Sequence, residues 1–184
     1  MKNARFILIC ALVVIGMATR LFPHWPNFTA LGAAAIMAGA FFRNKVWAFT
    51  IPLITLFLSD LILNNIVYSA YNEGFTFFTE GFIWIYLGFA VNVFIGLFLK
   101  GNVKIVSTAL AAVFGALSFY LLSNIGAWLS IPLYSKDITG LMEAYVAGLP
   151  FLANQVFANV VYCAIFFGTV WALTPRLKPS AVKA

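Results

Sequence analysis

Six long apolar segments dominate the sequence, and they restrict the chain to folds that suit a lipid environment. The segments cover about 6–22, 30–43, 46–66, 81–99, 105–129 and 150–173. A helix needs about 20 apolar residues to cross a bilayer. Strands of a membrane barrel alternate apolar and polar residues, whereas these segments are apolar throughout. We therefore predict an all-α, polytopic membrane protein with six transmembrane helices in one domain, residues 1–184.

The composition argues against a soluble enzyme. Hydrophobic residues make up 64% of the sequence and charged residues 9%, against roughly 45–50% and 25% in soluble domains. A soluble domain of this length buries only about 70% of its chain surface, so much apolar surface would face water. The two cysteines, Cys10 and Cys163, lie inside apolar segments and predict neither a disulfide nor a metal site.

The second segment is short for a transmembrane helix. Its apolar run covers 30–42, so we expect it to be tilted, to extend into the preceding loop, or to be shielded by its neighbours. Within it, Ala30, Ala34 and Ala38 recur at every fourth position. This spacing lets another helix approach closely. That helix belongs either to the same bundle or to a partner subunit, so the three alanines are candidate partner-docking residues.

The basic residues predict the orientation of the chain. Nine of the 11 Lys and Arg residues precede the first segment, follow the last, or lie in the loops after segments two and four. Because basic residues favour the cytoplasmic side, we predict that both termini are cytoplasmic. All five acidic residues then fall outside or in the outer half of a span. No basic run is dense enough for a nucleic-acid surface, so we expect no nucleic-acid partner.

Polar residues within the predicted spans concentrate in their outer halves. Such residues are costly in a membrane, so they usually join helices or line a cavity. We favour an outward-facing cavity, because residues that only join helices need not share one leaflet. The candidate substrate-binding residues are Arg20, His24, Asn27, Asp60, Asn64, Asn124, Trp128, Asn154 and Asn159.

Two of these candidates carry charge at similar predicted depth. A buried carboxylate needs a partner, so we predict that Asp60 pairs with Arg20, either as a structural pair or facing the ligand. His24 is the only histidine. It is either an interfacial hydrogen-bonding residue or a ligand contact, and no His or Cys neighbour supports a metal site.

Two outer segments carry further expectations. The loop 68–81 places three phenylalanines between polar residues, and we consider it a candidate lid over the outer mouth. A short amphipathic stretch, 141–147, is expected to precede the sixth span, which begins at Pro150.

Four stretches carry a family resemblance: RLFPHWPNFT (20–29), LSD (58–60), SNIGAW (123–128) and the segment 140–151. They resemble an uncharacterised family of small bacterial six-span membrane proteins, which is similar to the S components of energy-coupling-factor (ECF) vitamin transporters. The resemblance implies an S-component-like bundle in the bacterial plasma (inner) membrane. It also implies an outer substrate pocket and separate transmembrane and ATPase subunits that energise uptake.

The sequence departs from the S-component pattern in three respects. The small-residue repeat lies in the second segment, where S components commonly carry it in the first. The outer half of the third segment has Ser59 and Asp60 but no cysteine that could ligate cobalt. The N-terminal histidine cluster of nickel and cobalt S components is also absent.

The leading functional hypothesis is a substrate-binding membrane subunit for uptake of a vitamin-like or related micronutrient. The alternatives are an autonomous carrier or channel that acts as an oligomer, and a structural membrane subunit without a ligand. A channel needs polar residues through its full depth, which the inner halves lack. The chain has no P-loop, HExxH or GxSxG motif, so we predict no enzyme, catalytic residue, cofactor or metal. The expected partners are a small-molecule substrate, the lipid bilayer and ECF-type subunits.

Overall fold

The computed structural model of the chain describes residues 2–72, 74–100 and 103–173, and these residues form helices and loops without a β-strand. The prediction of an all-α fold is confirmed. The α-helices of the described residues are α1 Lys2–Ala18, α2 Leu31–Phe41, α3 Lys45–Ile62, α4 Phe82–Phe98, α5 Ile105–Ser130 and α6 Ile138–Leu173. The acidic residue Glu73 and the basic residues Arg176, Lys178 and Lys183 lie outside the described residues.

Three helical segments are long and apolar enough to cross a membrane: Lys45–Val67, Ile105–Ser130 and Ile138–Leu173. The first of these is α3 continued by a π-helical turn, Leu63–Val67. Only 28–33% of the apolar windows in these segments is buried within the chain, so large apolar side chains cover the outside of the bundle. A surface of this kind suits lipid far better than water and indicates a membrane protein.

The short helix α2 lies at the centre of the bundle and packs against all five other α-helices. Every residue from Leu31 to Ala40 is buried. Of the three explanations for its short length, shielding by neighbouring helices is therefore the one observed. Ala30, Ala34 and Ala38 are each 0% exposed. Of the two alternatives, packing within the same bundle is the one observed, and the three alanines present no surface to a partner subunit.

The closest helix contact joins α2 to α4 through glycine. A methyl group added at Gly39 would lie 2.1 Å from the carbonyl oxygen of Val93. One added at Gly96 would lie 2.1 Å from the carbonyl oxygen of Ile36. The two backbones therefore approach to a distance that only glycine permits, which is the usual role of small residues in membrane helix packing.

Helix α6 differs from its predicted form. It is one continuous helix of 36 residues that begins at Ile138 and includes Pro150, so the short stretch 141–147 and the predicted sixth span belong to the same helix. Proline inside a helix removes one backbone hydrogen bond and bends the axis, but it does not always end the helix. Contacts with α5 hold the early turns of α6: the Tyr120 hydroxyl donates to the Tyr145 carbonyl at 2.6 Å, and the Tyr145 hydroxyl to the Leu121 carbonyl at 3.1 Å.

The start of α6 is fixed by a side-chain cap. The Asp137 carboxylate accepts hydrogen bonds from the Gly140 backbone N–H at 2.9 Å and from the Ser135 hydroxyl at 2.8 Å. Capping of this kind satisfies a backbone donor that has no partner within the helix. The same bonds lower the pKa of Asp137 from its ordinary value.

We predict that Gly39→Ala destabilises the protein by about 1–3 kcal/mol, the usual cost of overpacking, because the Val93 carbonyl is backbone and cannot rotate away. Thermal unfolding in detergent, followed by circular dichroism, measures the effect. The matched control is Gly168→Ala on α6, where an added methyl group meets no atom within 4 Å. Equal melting temperatures for the two variants would contradict the close approach of α2 and α4.

Candidate binding cavities at one end of the bundle

The site begins with the length of α2. Its 11 residues extend about 16 Å at 1.5 Å per residue, roughly half of the ~30 Å hydrocarbon core. Loop one, residues 22–30, connects α1 to the start of α2. We call this end of the bundle the loop-one end. The ends of α3 and α5 and the starts of α4 and α6 also lie there, because successive helices run in opposite directions.

The first cavity lies directly above the start of α2 and has a volume of about 210 Å³. Four of the predicted site residues line it together, namely Arg20, His24, Asn27 and Asn159. The other lining residues are Thr29, Leu31, Gly32, Leu63, Tyr68, Ile85, Phe89, Phe119 and Gln155.

The second cavity lies between α5, the first half of α6 and loop one, and has a volume of about 260 Å³. Two predicted site residues, Asn27 and Asn124, line it. The other lining residues are Tyr120, Ser123, Ala127, Ile131, Tyr134, Ala144, Ala147, Gly148, Phe151 and Gln155.

Four predicted site residues line neither of these cavities. Asn64 is buried. The Trp128 indole donates to the Ser135 carbonyl at 2.7 Å, and the Asn154 amide donates to the Pro26 carbonyl at 3.0 Å. The Asp60 carboxylate pairs with the Arg20 guanidinium. The structure therefore does not place these four side chains in the walls of the two cavities, and their role in substrate binding stays a prediction.

The predicted ion pair between Arg20 and Asp60 is present. Arg20 Nη1 lies 2.5 Å from Asp60 Oδ1 and donates to Ser59 Oγ at 2.9 Å. The other carboxylate oxygen of Asp60 accepts a hydrogen bond from the Tyr86 hydroxyl at 2.8 Å. The network joins the end of α1 to α3 and α4, so it holds one wall of the first cavity and fixes the position of the Arg20 side chain.

Loop one is tied to the helices at several points. The Thr19 hydroxyl donates to the Gly16 carbonyl at 2.6 Å and accepts from the Ala30 N–H at 3.1 Å, just before α2. Phe28 packs against Phe157 of α6, with ring centroids 5.7 Å apart. Asn27 has a positive φ of 59°, a conformation that asparagine adopts more readily than most residues. These contacts fix the loop as a wall shared by both cavities.

Among the described residues of the loop 68–81, Tyr68 lines the first cavity, whereas the phenylalanines line neither cavity and do not form the expected lid. Phe78 instead packs on Phe57 of α3 and stacks on Phe82 of α4, with centroids 5.3 and 4.2 Å away. The Asn65 side chain holds this loop through two hydrogen bonds to the backbone of Thr76, at 2.7 and 2.9 Å.

Gln155 is the main lining residue that the predicted site omits. It is 7% exposed and lines both cavities. One signal was available in the sequence: Gln155 precedes Asn159 by four residues in an apolar segment, so the two share a helix face. Tyr120 and Ser123 were also omitted, although both line the second cavity. Tyr120 lies one helical turn before Asn124, and Ser123 directly precedes it.

Comparison with known proteins identifies a family. The model of a family of unknown function, DUF6580, matches residues 1–181, so the chain belongs to that family. No curated protein and no solved structure matches the chain.

We predict that Asp60→Ala destabilises the protein by about 1–3 kcal/mol, because the Arg20 guanidinium loses its counter-charge and the Tyr86 hydroxyl loses its acceptor. The two charged side chains are 21% and 17% exposed, so solvent recovers part of the 3–5 kcal/mol that breaking a fully buried pair costs. Thermal unfolding in detergent measures the effect against Glu143→Ala, which removes an exposed carboxylate from α6. Indistinguishable variants would show that the Arg20–Asp60 pair contributes nothing to stability.

Proposed function

We propose that this member of the DUF6580 family is the substrate-binding membrane subunit of an uptake system for a vitamin-like or related small molecule. In this proposal the six helices span the bacterial plasma membrane with both termini in the cytoplasm. Separate transmembrane and ATPase subunits, of the ECF type that the sequence resembles, supply the energy. The chain itself binds the substrate and performs no catalysis.

The observation that carries the proposal is the pair of cavities at the loop-one end. Their walls combine apolar side chains with a comparable number of polar ones, so a small molecule held there would have both apolar contacts and hydrogen-bond partners. A structural subunit without a ligand has no need of two such cavities at the same end. Arg20 reaches the first cavity from the end of α1, and Asn159 reaches it from α6. The two polar side chains can therefore orient a ligand held between these helices.

The positions of basic residues support an outward-facing site. Arg43 lies between α2 and α3 and Lys45 begins α3, while Lys100 and Lys104 lie between α4 and α5. Both connections are at the end opposite loop one, and the Lys100 ammonium donates to the Arg43 carbonyl there at 3.1 Å. Because basic loops favour the cytoplasm, this arrangement supports cavities that open away from it.

The deep side of the first cavity argues against the channel alternative. Phe89 and Phe119 line it there, with ring centroids 4.7 Å apart. One turn beyond Phe89 lies Asn92, whose buried amide has no hydrogen-bond partner among the described residues. A conducting pore needs a continuous polar path, and an isolated amide behind two aromatic rings does not provide one. Binding at one face, followed by movement driven by partner subunits, fits this arrangement better.

We expect wild-type protein purified from its own host to carry a small molecule that mass spectrometry of the extracted fraction identifies. Asn124→Ala and Asn159→Ala each remove a polar group from a cavity wall, which costs about 1–3 kcal/mol of binding and lowers affinity roughly 5- to 150-fold. Less of the molecule should then co-purify.

The matched control is Thr50→Ala, which changes a polar residue of α3 near the opposite end. It should retain the wild-type amount. Recovery of lipids alone from the wild-type protein, or equal retention by all three variants, would contradict the proposed function.

A further inference from the structure

The two cavities share a wall, and two polar residues form it. Asn27 of loop one and Gln155 of α6 each line both cavities. The volumes are about 210 and 260 Å³. Each lies below the roughly 300 Å³ at which small-molecule sites usually begin, while the two together lie within the usual range. The dividing side chains are therefore placed to contact the middle of one ligand that occupies both spaces.

Gln155 provides an independent sign of such a ligand. Its side chain is 93% buried, since only 7% is exposed. No hydrogen bond of its amide occurs within the described part of the chain, although the amide has two donors and one acceptor. Neither amide atom is among the fully buried, unpaired atoms of the described residues, so the small exposure that Gln155 retains includes its amide, which faces the two cavities. A polar group of a ligand between the two cavities would satisfy it.

The first cavity offers hydrogen-bond donors, and the guanidinium of Arg20 lines it while the balancing carboxylate of Asp60 does not. The ion pair with Asp60 uses Arg20 Nη1, which leaves Nη2 and Nε of the guanidinium available. Leu31 and Gly32, in the first turn of α2, also line this cavity, and the start of a helix carries partial positive charge and unpaired N–H groups. Among the described lining residues there is no Asp or Glu. These features together favour an acidic group and disfavour a cation.

The second cavity has a different chemistry. The described residues that line it are all uncharged. The Asn124 amide N–H₂ donates to the Tyr120 carbonyl at 2.8 Å, so the amide oxygen is left to accept. The Tyr120 hydroxyl donates to the Tyr145 carbonyl, and its lone pairs are left to accept as well. This end of the site therefore favours a neutral group that donates hydrogen bonds, held between aromatic and aliphatic side chains.

We infer that the two cavities form one two-chamber site for an elongated small molecule, with an acidic group at Arg20, a polar middle at Gln155 and a neutral hydrogen-bond donor at Asn124. This inference rests on the proposed function and specifies the class of substrate that the site takes. The described lining residues of the two chambers include no carboxylate, so the site favours an acidic substrate over an organic cation.

Cysteine chemistry tests the inference without knowledge of the ligand. In a background of Cys10→Ala and Cys163→Ala, Thr29→Cys places a thiol in the first chamber and Ser123→Cys places one in the second. The probes are two methanethiosulfonates, one carrying an anionic sulfonate and the other a cationic trimethylammonium group, added outside intact cells. For each variant, the rates of reaction with the anionic and the cationic probe are divided by the corresponding rates for Ser69→Cys, which changes an exposed residue of the loop 68–81.

The ratio of anionic to cationic reaction rates should be at least about fivefold higher for Thr29→Cys than for Ser123→Cys, because positive potential concentrates anions. Adding Arg20→Gln together with Asp60→Asn should remove the difference. This double change leaves no unpaired buried charge, so folding is preserved. Arg20→Lys keeps the charge and should keep the preference. Equal ratios for Thr29→Cys and Ser123→Cys would overturn the acidic assignment.

Continuity is tested in the double variant Thr29→Cys with Ser123→Cys. A butane-linked bis-methanethiosulfonate should join the two thiols within one chain, as detected by mass spectrometry. Single labelling at both positions without any cross-link would overturn the two-chamber site and leave the proposed function intact. Labelling of Ser69→Cys alone, with neither chamber reactive, would instead contradict the outward-facing cavities on which the proposed function depends.

Discussion

The architecture depends on one constraint, which is that its central helix is short and completely buried. Helix α2 has a side chain larger than alanine at only a few positions, and its backbone contacts that of α4 at Gly39 and Gly96. The other helices can therefore close around it along its whole length. Because α2 fills only about half of the ~30 Å hydrocarbon core, the space above its first turn is left to loop one and the cavities. The same helix thus provides both the core and the floor of the candidate site.

Polar contacts at the loop-one end hold the helices and loop one in place around the cavities. The Arg20–Asp60–Tyr86 network joins three helices on one side of the first cavity. On the other side, the hydrogen bond from Asn154 to the Pro26 carbonyl ties loop one to α6. Such groups are costly in an apolar bundle unless they are paired. Their pairing therefore stabilises the walls, while the unpaired amide of Gln155 faces the space between them.

Much of the helical framework could be predicted from the sequence, because apolar runs of membrane length are a strong signal. Charge complementarity also sufficed to pair Arg20 with Asp60. The alanine repeat left two alternatives open, because small residues promote close packing equally well inside a chain and between chains. The continuity of α6 through Pro150 could not be predicted, because it depends on contacts of its early turns with α5 that the sequence does not specify. The choice of Asn154 over Gln155 failed because adjacent residues point about 100° apart on a helix, and the sequence does not specify which of them faces the cavity.

Hydrogen–deuterium exchange of the intact protein in lipid nanodiscs measures the central claim directly, when it is read along α2 from overlapping peptides. The first-turn amides at Leu31 and Gly32 have no helical acceptor and line the first cavity, so they should exchange within minutes. The amides from Ala35 to Ala40 are buried and helical and should stay protected for hours. Protection of the whole helix would contradict a water-accessible space above α2, and fast exchange throughout would contradict its place at the centre of the bundle.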